Sequence, residues 1–138
     1  MPPVVPPIPD RTDQYFWDGV SAGQLLIQRC TSCHTLRLPP VPMCGTCHAT
    51  TWDTVAASGQ GTVYSWILSH HPSEPDATPR VVALVQLAEG PRFVSNLIDV
   101  DTDEVRNDMA VQLCFREVDG VTLPQFQIVA PRPECVPQ

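Results

Sequence analysis

Runs of mostly apolar residues, separated by short polar and glycine-containing stretches, predict β-strands in the second half of the chain. Five such runs are rich in β-branched and aromatic residues, at 61–71, 80–88, 92–100, 110–119 and 122–129. Glu89-Gly90-Pro91 separates the second run from the third, and Gly120 separates the fourth from the fifth. Both places are typical of tight turns, so the pattern predicts two β-hairpins.

The number and length of these runs favour a small barrel. Five strands in about 70 residues, with short hairpins and one longer interruption, suit a Greek-key barrel of the OB type. The interruption, 101–108 ("DTDEVRND"), is polar and has room for at most one helical turn. Strand counting alone also allows an SH3-like barrel or a small sandwich.

A short helix is predicted near the start of the chain. Thr12 can cap it through its hydroxyl, Gly23 can end it, and Tyr15, Phe16 and Trp17 are consecutive within it. Because an isolated helix of two or three turns is unstable in water, it must dock on something. Three consecutive aromatic residues cover more than one helical face, which favours contact on two sides, with the chain itself and with a partner. The alternative is that all three belong to the core.

Four of the six cysteines form two Cys-x-x-Cys pairs. Cys30 and Cys33 make the first pair, and Cys44 and Cys47 make the second. Two such pairs can aim four thiolates at one point, which is what a tetrahedral structural Zn²⁺ site needs, so the pattern predicts a zinc ribbon. A disulfide framework suits a secreted chain, but no signal peptide is recognisable. A redox pair fits less well still, because two adjacent pairs are redundant for that chemistry.

The residues around the two pairs are predicted to be strands and turns. "QLLIQR" leads into the first pair and "TTWDTV" leaves the second as strands, and three prolines keep the loop between the pairs extended. His34 and His48 each follow the second Cys of a pair, where a left-handed backbone is often needed and His tolerates it. We interpret both as turn residues rather than ligands. Four thiolates leave no open position, so the metal should be structural.

The charge of the chain excludes several functions. It carries 15 acidic and 8 cationic residues, for a net charge of −7, and every cation is Arg. A Lys Schiff base, a Lys general base and a phosphate-loop Lys are therefore excluded, and polyanion binding lacks the basic face that it needs, so no nucleic-acid partner is expected. No run approaches the ~18 apolar residues of a membrane span. We expect no membrane association and a cytoplasmic location.

No residues outside the Cys pairs assemble a recognisable catalytic constellation. His70 and His71 precede a loop and are expected to be solvated, and the acidic residues near Asp101 match no EF-hand loop. Cys114 is expected to be a buried, inert thiol and Cys135 an exposed free one. The pattern therefore indicates a protein that is not catalytic alone.

The order of the motifs resembles a known family. "FWDGV" and "GQLLIQRC", the two Cys pairs with "LPP" between them, "SGQGTVYSW", "VALVQLAEGPRFVSNL" and "LPQF" are similar to the acyl-CoA-associated, rubredoxin-like zinc-ribbon and OB-fold family, formerly a domain of unknown function. The likeness spans residues 12 to 130. The chain departs from such ribbons in having His34 and His48 where Gly is frequent. Family members resemble accessory subunits that accompany thiolase-superfamily enzymes, or are fused to hydratase-like domains, in acyl-CoA and steroid side-chain metabolism.

The resemblance implies a mainly β fold in four parts. A Pro-rich arm and the aromatic helix occupy 1–24, the rubredoxin-like zinc ribbon 25–57, the five-stranded OB-fold barrel 58–130, and a Pro-rich tail 131–138. The zinc ligands would be Cys30, Cys33, Cys44 and Cys47, with one structural zinc per chain.

The resemblance also implies a function. The chain would be a non-catalytic subunit that binds a thiolase-like enzyme, as a heterotetramer around that enzyme's dimer, and supports acyl-CoA binding and carbon–carbon cleavage. A retro-aldol step in steroid side-chain degradation is favoured; a carbon–carbon-forming or thiolytic thiolase is the alternative partner. An alternative of another class is an OB module for single-stranded nucleic acid, which the charge disfavours.

Contact residues follow from this function. Coenzyme A carries phosphates, and with no Lys in the chain Arg must supply the positive charge. Arg37 on the ribbon loop, and Arg80 and Arg92 beside the second predicted barrel strand, are the candidates for acyl-CoA contact. Tyr15, Phe16 and Trp17 are the candidates for the partner interface.

Overall fold

The computed structural model describes residues 5–129, which contain one α-helix and eight strands. The helix is α1 (Gln14–Ser21), and the strands are β1 (Leu26–Cys30), β2 (Leu36–Arg37), β3 (Trp52–Ala56), β4 (Gln60–Ser69), β5 (Arg80–Leu87), β6 (Arg92–Leu97), β7 (Ala110–Val118) and β8 (Val121–Ile128). The expected mainly β fold with one short N-terminal helix is confirmed. The first four residues of the arm and the predicted tail, with Cys135, lie outside the described residues.

The two ends of α1 are set by backbone geometry. The expected cap by Thr12 is wrong, because the Asp10 carboxylate accepts a hydrogen bond from the Thr12 N–H at 2.7 Å and the helix begins two residues later. The expected end at Gly23 is confirmed. Gly23 has a φ of 78°, and the Gln24 N–H donates to the Gly19 carbonyl at 2.8 Å. This is the Schellman ending that glycine favours.

Strands β1, β2 and β3 form the sheet of the ribbon. The sheet order is β2-β1-β3, with both pairs antiparallel. Arg29 on β1 lies opposite Asp53 on β3, and its guanidinium donates two hydrogen bonds of 2.8 Å to that carboxylate. Strand β2 lies in the segment that was expected only to be extended, and the loop after it contains a cis Leu38–Pro39 peptide bond.

Strands β4 to β8 close into a five-stranded barrel. Its order is β4-β5-β6-β8-β7, and β7 returns to pair with β4. All neighbours are antiparallel except β6 and β8, which run parallel and meet at one bridge, Leu97 with Phe126. A single 3₁₀ turn, Thr102–Glu104, occupies the predicted interruption between β6 and β7. The OB-type barrel is therefore confirmed, and a sandwich is not formed.

The turns of the barrel use the residues that the sequence singled out. Gly90 and Gly120 have φ values of 118° and 81° at the two predicted hairpins. Gly61, at the start of β4, is needed for another reason. A Cβ at this position would lie 2.8 Å from the Gln86 carbonyl oxygen of the neighbouring strand, closer than packed atoms allow.

One hydrophobic cluster joins the three parts of the molecule. It contains Phe16 and Val20 from α1, Ile27 from the ribbon sheet, and barrel residues such as Val63 and Phe126. Cys114, on β7, is 3% exposed, so its expected burial is confirmed, but it is disulfide-bonded and the expectation of a thiol was wrong. Because the helix and the ribbon share the hydrophobic cluster with the barrel, this packing fixes their positions relative to it.

Candidate zinc centre and contact residues

The two Cys pairs fold into turns of the same geometry. In the first, the His34 N–H donates to the Cys30 carbonyl at 2.9 Å; in the second, the His48 N–H donates to the Cys44 carbonyl at 3.0 Å. Both histidines have a φ of 65°, which is the left-handed region. The interpretation of His34 and His48 as turn residues is confirmed, since each closes the turn that presents a Cys pair.

The four predicted sulfur ligands converge on one point. The Sγ atoms of Cys30, Cys33, Cys44 and Cys47 all lie within 4.8 Å of one another. The Cys30–Cys47 and Cys33–Cys44 sulfur separations are 3.5 and 3.6 Å. A tetrahedral zinc with Zn–S bonds of about 2.3 Å requires sulfur separations of about 3.8 Å, so the donor set fits zinc. All four positions would be filled by protein, which makes the site structural.

Hydrogen-bond donors lower the pKa of three of these thiols. The Cys33 N–H, 3.5 Å from the Cys30 sulfur, lowers the Cys30 pKa, and the Thr35 hydroxyl, 3.1 Å from the Cys33 sulfur, lowers the Cys33 pKa. The N–H of Cys47 lowers the pKa of Cys44 in the same way. These donors favour the thiolates that a metal needs.

The fourth thiol, Cys47, behaves differently. The Ala49 N–H lowers its pKa, but the sulfurs of Cys30 and Cys33 beside it act together in the opposite direction, and the net pKa is raised to about 11. Four adjacent thiolates repel one another unless a cation lies among them. The cluster therefore favours a bound divalent ion over four free thiols.

Gln28, which the sequence did not indicate, anchors the proline loop to the ribbon. Its side chain is 0% exposed, although it is polar and lies in a strand. Its Nε2 donates to the Val41 carbonyl at 3.1 Å, and its Oε1 accepts from the Val41 N–H at 2.8 Å. The partner lies 13 residues further along the chain, so no local pattern could have predicted this contact.

Arg37 and Tyr15 have enclosed polar atoms near the junction of helix and ribbon. Arg37 donates from Nη2 to the Val41 carbonyl at 3.2 Å, while its Nε and Nη1 are buried without a partner among the described residues. The Tyr15 hydroxyl is likewise buried and unpaired. Burial raises the pKa of Tyr15 to about 12, against the opposing effect of the Arg37 charge. Tyr15 is therefore a neutral phenol at physiological pH.

The three arginines predicted to contact acyl-CoA are not brought together. The Arg92 guanidinium lies 3.7 Å from the centre of the Tyr64 ring, and its Nε donates to Gln86 at 3.0 Å. Arg80 begins β5, and Arg92 pairs with Gln86 six residues further along that strand, which separates the two by about 20 Å. Arg37 lies on the ribbon. The Arg80 side chain is exposed and has no hydrogen-bond or ion-pair partner within residues 5–129.

The three helix aromatics contact two sides of their own chain. The centre of the Tyr15 ring lies 4.7 Å from the centre of the Trp52 ring on the ribbon. The centre of the Phe16 ring lies 5.9 Å from the centre of the Phe93 ring on the barrel. Phe16 is only 6% exposed and packs edge-on against Trp17. Tyr15 and Trp17 are half-buried. Phe16 therefore belongs to the core, and the role of all three in a partner interface stays a prediction.

The remaining polar residues of interest make local contacts. The Nδ1 atom of His71 lies 2.7 Å from the hydroxyl oxygen of Ser73, two residues further along the same exposed loop. Asp101 and Glu104 form a capping box around the 3₁₀ turn. These groups are satisfied within their own turns.

Comparison with known proteins identifies the family. The family model described as the rubredoxin-like zinc ribbon domain of ChsH2 matches residues 17–53, and the one described as the C-terminal OB-fold domain of ChsH2 matches residues 54–116. A DUF35 domain-containing scaffold protein from Pyrococcus furiosus is 31% identical over 83% of this chain and 89% of its own length. This chain belongs to the DUF35 family. The resemblance inferred from the sequence motifs is thereby confirmed.

Other DUF35 relatives carry more specific names. A probable enoyl-CoA hydratase alpha subunit from Thermomonospora curvata is 43% identical over 93% of this chain, and the 3-oxo-4,17-pregnadiene-20-carboxyl-CoA hydratase alpha subunit of Mycobacterium tuberculosis is 36% identical over the same share. This chain spans 41% and 40% of their lengths. A solved structure described as the Ltp2-ChsH2(DUF35) aldolase contains a chain that is 43% identical, with a TM-score of 0.82 over 90% of this DUF35 chain and 99% of that one.

No helix within the described part of this DUF35 chain is long and apolar enough to cross a membrane.

Proposed function

We propose that this chain is a non-catalytic accessory subunit that binds a thiolase-fold enzyme and supports carbon–carbon cleavage of an acyl-CoA. The observation that carries the proposal is the 43% identity and TM-score of 0.82 to the DUF35 chain of an aldolase, over nearly all of that chain. The partner would be a dimer with one copy of this chain on each subunit, a heterotetramer. The catalytic residues would belong to the partner.

A retro-aldol reaction on a steroid side chain is the favoured chemistry. Support comes from the relative named for a pregnadiene-carboxyl-CoA substrate and from the aldolase to which the structure is similar. The alternative is a carbon–carbon-forming or thiolytic thiolase; the relatives named as DUF35 domain-containing scaffold proteins are compatible with either partner. The two differ in the reaction of the partner rather than in the role of this chain.

The zinc ribbon would serve this role as a rigid support. Zinc on the four Cys sulfurs would hold the ribbon and its proline loop in one shape, because metal binding in such sites is coupled to folding. The zinc itself has no open position for substrate.

Arg80 is the best placed of the three arginines to meet a phosphate of acyl-CoA. It is exposed and unpaired among the described residues, whereas Arg92 is stacked on Tyr64 and Arg37 is bonded to Val41. In the assembled complex we expect Arg80→Ala to raise the acyl-CoA Kd by about 5- to 20-fold, the range for loss of one charge-assisted contact. Arg29→Ala, which removes an ion pair to Asp53 on the ribbon, is the matched control. Equal affinities for both variants would remove Arg80 from the site.

Co-expression with a thiolase-fold enzyme encoded by the same genome tests the proposal. We expect a stable complex of defined mass, and acyl-CoA cleavage by the complex at least 100-fold faster than by either protein alone, because each would lack part of the pocket. Assays in both directions distinguish cleavage from condensation. Full activity of the thiolase-like protein by itself would refute the accessory role. Turnover by this chain alone would refute the non-catalytic assignment.

A further inference from the structure

Three shallow depressions lie side by side on the outside of the barrel. The first, of about 170 Å³, lies over β4, β5 and β6; the second, of about 290 Å³, lies between α1, β6 and β8; the third, of about 300 Å³, extends to the start of β5 and the end of β7. Val94 lines both the first and the second, while Asn96 and Gln125 line both the second and the third. We call this continuous surface the β6 face.

The centre of the β6 face is apolar and exposed. Ile67 on β4 and Val94 on β6 are each 63% exposed. Val82 lies opposite Ile67 in the β4–β5 ladder, and Leu84 lies opposite Val94 in the β5–β6 ladder, so the four side chains form one patch. The inward residues of β5 are also apolar, so this strand is hydrophobic on both faces. Strands of that kind are normally covered on both sides.

The charge of the β6 face differs from that of the whole protein. The chain has 15 acidic residues and a net charge of −7, but no Asp or Glu lines any of the three depressions. The charged residues that do line them are Arg80 and Arg116, both in the third depression. Arg116 forms an ion pair with Asp99, and Arg80 is unpaired within residues 5–129. The surface thus has an apolar centre and, at its edge, one positive charge without a partner among the described residues, that of Arg80.

We propose that the β6 face is the surface that docks on the partner enzyme, on a patch of the partner that is apolar at its centre and holds, at the edge facing Arg80, an anionic group of the bound acyl-CoA. This inference rests on the proposed function. Roughly twenty residues line the three depressions, close to the ~20–30 residues per side of a standard interface. Trp17 lines the second depression, which joins the helix aromatics to the same surface. Arg80, at its edge, would also be where a ligand held between the two proteins meets this chain.

A second copy of this chain fits the β6 face poorly. A two-fold contact places the same residues against each other. Arg80 would then face a copy of a surface whose three depressions are lined by no acidic residue, so its charge would stay without a counterpart. A different protein that holds an anionic ligand beside an apolar patch satisfies both parts of the surface.

The experiment compares variants of the full chain for binding to the thiolase-like protein, the thiolase-fold enzyme of the same genome that forms a complex with it on co-expression. Val94→Glu and Ile67→Glu place a carboxylate at the centre of the β6 face, and each should raise the Kd by about 30-fold or more, because the charge would be desolvated without a partner. Val129→Glu is the matched control. Val129 is 55% exposed and lines a different groove, with Gln60 and Gln112, so its Kd should change less than about 3-fold. Melting temperature and zinc content establish that each variant is folded.

The outcomes separate this inference from the proposed function. If the wild-type chain binds and the Val94→Glu and Ile67→Glu variants bind as tightly as Val129→Glu, the β6 face is not the interface, while the accessory role stands. If the wild-type chain does not bind the thiolase-like protein at all, both proposals fall. Sedimentation of the chain alone gives the third outcome. A wild-type dimer that becomes monomeric in Val94→Glu would assign the face to self-association and overturn the proposal.

Discussion

Individual residues around the sulfur cluster divide into ligands and residues that shape the turns. The Cys side chains converge because each pair is folded back by a hydrogen bond from the N–H of the following His to the carbonyl of the first Cys. His34 and His48 therefore act through the backbone, with a φ of 65° that most L-residues avoid. Spacing alone predicted the ligands, since Cys-x-x-Cys pairs have few other uses in such a chain.

Exchange of the two histidines for glycine tests this division. We expect His34→Gly and His48→Gly to keep one zinc per chain and to leave stability unchanged or raised by up to about 1 kcal/mol, because glycine adopts positive φ without strain. Cys44→Ser is the contrasting variant. It should lose the zinc and melt at a much lower temperature, because metal binding and folding are coupled. Zinc analysis and thermal melting of the three proteins provide the measurement.

The outcome for zinc in the glycine variants is decisive. Loss of zinc on replacing His34 or His48 would make that imidazole a ligand and contradict the turn assignment. Unchanged melting of Cys44→Ser would contradict the structural role of the metal.

At the scale of elements, the sequence predicted the helix and strands that depend on neighbouring residues, and it did not predict contacts between residues far apart in the chain. Seven strands and the helix were predicted from runs of β-branched and aromatic residues and from the positions of glycines. Strand β2 was not, because two residues, Leu36 and Arg37, carry no alternation, and they pair only through their contact with β1. The attachment of the proline loop by Gln28 and the closure of β7 on β4 also depend on residues far apart in the chain. Such contacts leave no pattern among residues that are adjacent in the sequence, so they could not be predicted from it.

The contact between Gln28 and Val41 makes a prediction for the proline loop. Gln28→Leu should destabilise the protein by about 1–2 kcal/mol, because the N–H and carbonyl of Val41 lose a partner that is itself buried. Limited proteolysis should cut faster within 38–43, while zinc stays bound. Gln112→Leu, at an exposed barrel position, is the control and should change stability by less than about 0.5 kcal/mol. Equal stability of the two variants in chemical denaturation would show that the loop does not need Gln28.

At the scale of the whole molecule, the helix, ribbon and barrel share one core, yet one outer surface stays apolar. The aromatic run of α1 lies between the shared core and this outer surface, and Phe16 is on the core side. It is buried against Phe93 of the barrel, while its neighbour Trp17 is half-buried and lines the second depression of the β6 face. The inner part of the aromatic run thus contributes to folding, and its outer part is available for contact. The sequence could not assign these two roles, because consecutive aromatics on a short helix fit both.

Two alanine variants separate folding from docking at this helix. Phe16→Ala should destabilise the protein by about 3–4 kcal/mol, because it leaves a cavity between helix and barrel. Unfolding should remain a single transition, since the core is continuous from Val20 to Phe126. Trp17→Ala should cost less stability but weaken binding to the thiolase-like protein by about 10-fold or more, as expected for an aromatic anchor at an interface. Calorimetry measures the first effect and titration of the purified partner the second. If Trp17→Ala binds as tightly as the wild-type chain, the helix lies outside the interface, and the docking surface would be confined to the strands of the barrel.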